Sequence, residues 1–275
     1  MKAFSFTVDD SILFLKDLKN GDYKSVLEHP LLSFMHTLHE KCGLKVQFNL
    51  FFREGDFVES DNFSEQDEKS FTLADMTDKF KSEWETLSDW IKFSFHSDRN
   101  NVNPYCDGKY TEIFNDCKRV QNEIIRFASE KSLAKTTTIH YVRCYDNSLT
   151  ALKDNGVKGL LCVTGNKICP RISYGLPLSK IQELNDGKII EDNGLIFSSI
   201  DAILNELNDD EINYQLNSVK ANDFIKIMNH EMHFYPYDKN YQWNFCNKLE
   251  SAVDFLVKNN FESVFFEDVI NYIRR

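Results

Sequence analysis

Short apolar segments recur along this 275-residue chain, separated by amphipathic stretches, and this alternation is the strongest constraint on its fold. The segments are rich in Val, Ile, Phe and Thr, which favours buried strands over helices. Since parallel neighbours need a crossover between them, the alternation predicts a mostly parallel sheet. The segments are 3–8, 46–52, 91–95, 137–141, 159–163 and 224–228, with 263–265 as a weaker seventh.

Four of the intervening stretches carry apolar residues at intervals of three and four, the period of an amphipathic helix. They cover 79–90, 110–131, 149–155 and 243–258, and Gly156 suits the left-handed end of the third. About seven strands in one domain can close into a barrel. We therefore predict an α/β fold, a distorted (β/α)7-type barrel, with a doubly wound open sheet as the alternative.

The domain organisation predicted from the sequence is a single domain over residues 1–275. With 10 Gly and 5 Pro, the chain shows no repeat and no linker that would separate two domains. The polar stretch 54–69 predicts a solvated loop, and 172–201 interrupts the alternation as an insertion would.

Charge and cysteine usage exclude several classes of protein. Against 43 acidic side chains there are 32 basic ones, a net charge of -11, so no basic surface is expected to displace counterions from nucleic acid. No segment approaches the roughly 20 apolar residues of a membrane span. The N-terminal segment does not resemble a signal peptide. Seven scattered cysteines without a CxxC pair indicate reduced thiols, and we expect a cytoplasmic location.

Ionisable residues stand at the ends of several predicted strands. The first ends in Asp9 and Asp10, and others end in His96, His140 and His230. In α/β barrels the carboxyl ends of the strands converge on one face, where chemistry is built. Carboxylates and imidazoles gathered there could hold a Zn²⁺-like ion and still supply a base and an acid.

These strand ends resemble motifs of the polysaccharide deacetylase (NodB-homology) family, carbohydrate esterases with a distorted barrel and a divalent metal. The matching segments are Phe6-Thr7-Val8-Asp9-Asp10, Phe95-His96-Ser97, Ile139 through Leu160, and Met228-Asn229-His230. The resemblance implies that Asp9 is the general base, that Asp10 and His96 are metal ligands, and that His230 is catalytic.

The chain departs from the family pattern at two places. Asn100 stands where the family has a second metal-binding histidine, so His140 or His230 is expected to complete the site, and we assign His140. The family's arginine motif is missing, and Arg143 is a candidate replacement. Further substrate-binding candidates are Tyr105, Tyr141 and Glu231.

The predicted function is that of a metal-dependent hydrolase that cleaves amide or ester bonds, removing an acetyl group from an N- or O-acetylated sugar or surface-glycan precursor. The expected cofactor is Zn²⁺, with Co²⁺ or Ni²⁺ as alternatives. One alternative is an inactive deacetylase-like barrel that binds carbohydrate. Asn100 favours this alternative, because it replaces a metal-binding histidine of the family. Another is a glycoside hydrolase, whose two carboxyl groups would lie about 5–9.5 Å apart, and adjacent Asp9 and Asp10 match this poorly.

Overall fold

The computed structural model of the protein describes residues 2–55, 70–101, 104–145, 147–163 and 174–273. Nearly all of the predicted polar loop at 54–69 lies outside these residues, as do the first two residues of the segment 172–201. In the described part of the chain, no helix is both long enough and apolar enough to cross a bilayer.

Ten strands form two sheets within the described residues. Their bounds are β1 Ala3–Ser11, β2 Val46–Phe51, β3 Ile91–Ser97, β4 Thr136–Thr137, β5 Gly159–Cys162, β6 Ile190–Asp192, β7 Leu195–Ser199, β8 Ala202–Ile203, β9 Phe224–His230 and β10 Glu262–Ser263. The first sheet has the order β3-β2-β1-β9-β8, with β10 also beside β1, and the second has the order β4-β5-β7-β6. Every pairing is parallel except β6 with β7.

Helices separate most of these strands, as the alternation in the sequence predicts. Their bounds are α1 Leu13–Asn20, α2 Pro30–Cys42, α3 Lys81–Leu87, α4 Tyr110–Phe127, α5 Asn147–Asp154, α6 Leu178–Asn185, α7 Asp209–Val219, α8 Phe245–Lys258 and α9 Phe266–Ile273. The four helices predicted from apolar spacing are confirmed as α3, α4, α5 and α8. Gly156 follows α5 with φ 83°, in the left-handed conformation that its position predicts.

The two sheets are connected along both sides. On one side, Leu133 pairs with Phe93 of β3 just before the chain enters β4. On the other, the amide of Ile200 donates to Cys162 of β5, and the amide of Asp201 donates to Lys226 of β9. The two sheets therefore lie edge to edge on both sides, and the predicted class, a mostly parallel α/β fold in one domain, is confirmed.

Two predicted segments differ from the structure in detail. The strand predicted at 137–141 is only Thr136–Thr137, because the backbone then leaves the ladder and His140 begins a 3-10 turn, His140–Val142. The described part of 172–201 holds α6, β6 and β7. Of these, β7 runs parallel to β5 and belongs to the second sheet.

Candidate metal centre

The site begins where β1 departs from regular geometry. Asp10 has φ 56°, in the left-handed region, and the pairing of β1 with β2 shifts register between Val8 and Ser11. Consecutive strand residues normally point to opposite faces. With Asp10 in the left-handed conformation, which aspartate tolerates better than most residues, Asp9 and Asp10 both line one cavity.

This metal-site cavity has a volume of about 240 Å³ and opens at the carboxyl ends of β1, β3 and β9. Three apolar side chains, Val163, Ile203 and Met228, form part of its wall. Seven residues predicted from the sequence also line it: Asp9, Asp10, His96, His140, Tyr141, Arg143 and His230. The convergence expected from strand ends therefore brings these seven side chains together.

Three ligand atoms form a nearly equilateral triangle in this cavity. Asp10 Oδ1 lies 3.0 Å from His96 Nε2 and 3.0 Å from His140 Nδ1. The two ring nitrogens are 3.1 Å apart. Ligand atoms about 2.1 Å from a shared ion lie roughly 3.0 Å apart at a right angle and roughly 3.4 Å apart at the tetrahedral angle, so this triangle is close to the size that an ion requires. Among the described residues, Asp10, His96 and His140 are the cluster of His, Cys, Asp or Glu side chains whose ligand atoms are close enough to share a metal ion.

The far side of each imidazole is bound to an oxygen, which favours one tautomer. His96 Nδ1 donates to the carbonyl of Thr138, and His140 Nε2 donates to Asn100 Oδ1 at 2.8 Å. With those nitrogens protonated, a neutral ring directs a lone pair toward Asp10. Three such lone-pair atoms in contact repel one another unless one ring gains a proton and donates to Asp10 or a cation lies between the three atoms. A carbonyl or amide partner behind a histidine is also the usual support of a metal ligand.

Burial and charge give each group a distinct protonation tendency. Burial raises the pKa of Asp10, but hydrogen bonds from His140 and His96 outweigh it and hold that pKa well below its usual value. Burial lowers the pKa of His140. Burial also opposes charge on His96, yet the charge of Asp9 and the hydrogen bond to Asp10 raise its pKa. The cavity therefore attracts positive charge, and its residues fit a divalent cation.

Asp9 and His230 flank this triangle from adjacent strands. They are paired residues in the β1–β9 ladder and line the cavity together. Asn49 of β2 donates to Asp9 Oδ1 at 2.5 Å, and burial raises the pKa of this carboxyl group. His230 Nδ1 donates to Asn205 Oδ1 at 2.9 Å. Each side chain is thus held through one of its polar atoms.

The predicted substrate-binding residues fall into two groups. Tyr141 is 49% exposed at the metal-site cavity, and the guanidinium of Arg143 lies 5.8 Å from its ring centroid. Tyr105 is instead buried and lines a different cavity, where its hydroxyl donates to Asp116 and accepts from the amide of Asp98. The structure therefore does not bring Tyr105 to the metal-site cavity.

Glu231 is also fully buried and bound to the chain itself. Its carboxylate accepts the amides of Ile12, Leu13 and Phe14, at 2.6 to 2.8 Å, and the hydroxyl of Tyr235 at 3.0 Å. These four donors occupy both oxygens of Glu231, so the structure corrects the prediction that Glu231 contacts the substrate. The carboxylate of Glu231 instead holds the start of α1.

Three residues that the sequence did not single out hold the site from behind. Asn49 lies two residues from Gln47 on the inward face of β2, an alternation of polar residues that would have been a usable signal. Thr138 acts through its backbone carbonyl, so its side-chain identity carries no signal. Asn205 comes from a 3-10 turn far from His230 in sequence.

Asn100→Ala is expected to weaken metal binding by about 10–100-fold, because the Nε2 proton of His140 would lose its acceptor and the ring its orientation. A competition titration against a chelating dye measures the change. Asn100→Asp keeps an acceptor oxygen and should retain affinity within a few-fold. Equal affinities of the wild type and Asn100→Ala would refute the orienting role.

No family model matches the chain, and no curated protein matches it. Among solved structures, the 4-α-glucanotransferase from Thermococcus litoralis superposes with a TM-score of 0.56 at 9% identity, over 98% of this chain and 40% of that one. A candidate polysaccharide deacetylase from Mycobacterium smegmatis gives 0.54 at 8% identity, over 99% and 91%. A family 4 acetyl xylan esterase from Clostridium thermocellum, in complex with cobalt, gives 0.49 at 10%, over 98% and 91%.

The chain therefore spans less than half of the glucanotransferase and nearly all of the M. smegmatis protein. At such low identity these likenesses establish architecture alone. This chain shares the α/β fold of the glucanotransferase and of the M. smegmatis protein.

Proposed function

We propose that this protein is a metal-dependent hydrolase that removes an acetyl group from an N- or O-acetylated sugar or glycan precursor. The observation that carries the proposal is the triangle of Asp10, His96 and His140 ligand atoms, flanked in one cavity by Asp9 and His230. The barrel fold supports it. A reducing, cytoplasmic location is a separate proposal, which the free thiols of Cys42, Cys117, Cys144, Cys162 and Cys246 support.

Asp10, His96 and His140 would hold the ion, with Zn²⁺ expected and Co²⁺ or Ni²⁺ as alternatives. A bound divalent ion supplies two effects, polarisation of the acetyl carbonyl and a lowered pKa of water. The protein contributes a negative carboxylate and two imidazoles already turned toward one point. Little reorganisation of these side chains is then needed on binding.

Asp9 serves as the general base in this proposal. Asn49 binds its Oδ1, which fixes the carboxylate plane and leaves Oδ2 to accept a proton from the attacking water. Low exposure strengthens this role, because a carboxylate removed from bulk water is a stronger proton acceptor.

His230 serves as the general acid. Its Nδ1 proton is bound by Asn205, so the ring presents Nε2 as the atom that transfers a proton to the leaving nitrogen or oxygen. Its place beside Asp9 in the ladder puts acid and base on neighbouring strands of one cavity.

The cavity wall suits an acetylated sugar. Val163, Ile203 and Met228 provide an apolar surface for the acetyl methyl group. Tyr141 and Arg143 provide an exposed ring and a hydrogen-bond donor for the sugar itself.

Asp9→Asn is expected to reduce kcat for acetate release by about 10²–10⁴-fold, because the amide keeps the shape of the carboxylate but cannot take a proton at neutral pH. The assay measures acetate released from N-acetylated and O-acetylated oligosaccharides by protein reconstituted with Zn²⁺, Co²⁺ or Ni²⁺. Thermal unfolding of Asp9→Asn serves as the control for folding.

Assays with aryl glycosides and measurements of metal and sugar binding separate the alternatives. Hydrolysis of aryl glycosides without acetate release would identify a glycoside hydrolase. Stoichiometric metal and sugar binding without either reaction would identify a binding module, and both outcomes would overturn the proposal.

A further inference from the structure

A second cavity lies beyond the segment that follows β9. It has a volume of about 390 Å³, within the range of small-ligand sites, and lies between the start of α2 and residues 234–246. We call it the aromatic cleft, defined by the six Phe, Tyr and Trp side chains that line it: Tyr23, Phe234, Tyr235, Tyr241, Trp243 and Phe245. The metal-site cavity has no lining residue in common with it.

The cleft exposes large rings that a stable fold would normally cover. Trp243 is 78% exposed and Tyr241 is 42% exposed. Next to the cleft, Tyr237 is 68% exposed and its ring centroid lies 5.1 Å from that of Tyr235. Exposed aromatic side chains gathered in one place mark a binding surface more often than single ones do.

Polar groups at the cleft indicate the chemistry of its ligand. The Asp17 carboxylate is 35% exposed and accepts from His29 Nε2 at 3.4 Å. A sugar offers both partners that this surface needs, C–H faces that stack on aromatic rings and hydroxyls that donate to a carboxylate. The net charge of -11 disfavours polyanionic ligands. A neutral carbohydrate therefore fits the aromatic cleft better than a nucleic acid or an anionic lipid.

Two walls of the cleft are bonded to the residues behind the metal-site cavity. Gln242 Nε2 donates to the carbonyl of Asn205, whose side chain accepts from His230. Tyr235 donates to Glu231, the residue after His230. A ligand in the cleft would thus contact the segment that follows His230 in the chain.

We propose that the aromatic cleft is a second carbohydrate site, which binds a neutral sugar unit of the glycan on which the enzyme acts. The proposal rests on the deacetylase function and specifies its substrate as an oligosaccharide or a longer chain. Trp243 provides the main stacking surface and Asp17 the hydroxyl acceptor.

Tryptophan fluorescence tests this directly, because Trp84 and Trp90 are buried and Trp243 is exposed. The probes are the neutral sugars tetra-N-acetylchitotetraose and xylotetraose, titrated to about 10 mM, a range that covers weak sugar binding. We expect at least one to shift the emission and to shield Trp243 from acrylamide quenching. Trp243→Ala should then weaken binding of that sugar by at least about tenfold in calorimetry. Tyr214→Ala, which removes a 77% exposed ring from α7, should leave it unchanged.

Failure of this inference is distinguishable from failure of the deacetylase function. Protection of Trp243 without acetate release by the wild type would retain the cleft as a sugar site and reject the enzyme. Acetate release without any change at Trp243 would reject the cleft. Equal affinities of Trp243→Ala and Tyr214→Ala would also reject it.

Discussion

Asp10→Asn is expected to lower the affinity for Zn²⁺, Co²⁺ or Ni²⁺ by more than about 100-fold, beyond the loss typical of outer-shell partners, and to abolish acetate release. Asparagine has nearly the same shape and tolerates the left-handed backbone at φ 56°. The change therefore removes the charge that His96 and His140 face, with little added strain. Elemental mass spectrometry of protein purified without chelator measures the bound metal.

A matched control is His36→Asn, which replaces a partly exposed histidine on α2 that lies beside Glu40 and the ring of Trp90. It should retain one ion per chain, whereas His96→Asn and His140→Asn should both lose it. One ion per chain in Asp10→Asn, or none in the reconstituted wild type, would contradict the metal centre. The wild type is also reconstituted with each of the three metals, because an ion lost during purification could otherwise be mistaken for the absence of a site.

Glu231→Ala is expected to reduce the free energy of unfolding by about 3–5 kcal/mol, a large fraction of the total for a protein of this kind. The loss would leave the amides of Ile12, Leu13 and Phe14 buried without their acceptor. Urea unfolding at about pH 8, where the carboxylate is ionised, measures the change. Tyr235→Phe removes one donor to the same carboxylate and should cost only about 1 kcal/mol.

The same carboxyl group should make stability depend on pH. Burial raises the pKa of Glu231 to about 7, from 4.5 for an exposed glutamate, although its backbone hydrogen bonds oppose this. Between these values the folded protein retains a proton that the unfolded chain has released. The free energy of unfolding should therefore fall as pH rises from about 4.5 to about 7 and then level off.

Glu231→Gln cannot titrate, so its unfolding curve should lack this contribution. The urea midpoints of the wild type and of Glu231→Gln are measured at several pH values. The difference between the two profiles gives the contribution of Glu231, separate from that of other titrating groups. Parallel pH profiles for wild type and Glu231→Gln would refute a raised pKa.

Glu231 also explains why the two halves of the site keep their arrangement. It follows His230 directly, and the amides that it binds lie two to four residues after Asp10. One buried carboxylate thus ties the end of β9 to the turn that leaves β1. A positioning role of this kind predicts reduced metal affinity in Glu231→Ala protein that is still folded.

The alternation of apolar segments and helical patterns was enough to predict the class of fold, because local period and burial depend on nearby residues. Five of the main predicted strands match β1, β2, β3, β5 and β9. The strand predicted at 137–141 extends beyond the observed β4, because the point at which the chain leaves the sheet depends on contacts with distant residues. The segment 172–201 was predicted to be an insertion, but its strand β7 belongs to the second sheet. That membership depends on pairing with β5, which is distant in the sequence.

The sequence by itself determined which residue types stand at the strand ends, and parallel strands bring such ends to one edge for a purely geometric reason. Asp9, Asp10, His96, His140 and His230 followed from that rule. Only the tertiary structure placed His140 and not His230 in the triangle, with Asn100 behind it as its acceptor. The burial of Glu231 against α1 and the assembly of the aromatic cleft were also visible only in the folded structure. Such contacts join residues far apart in the chain, and no local pattern records which of them will meet.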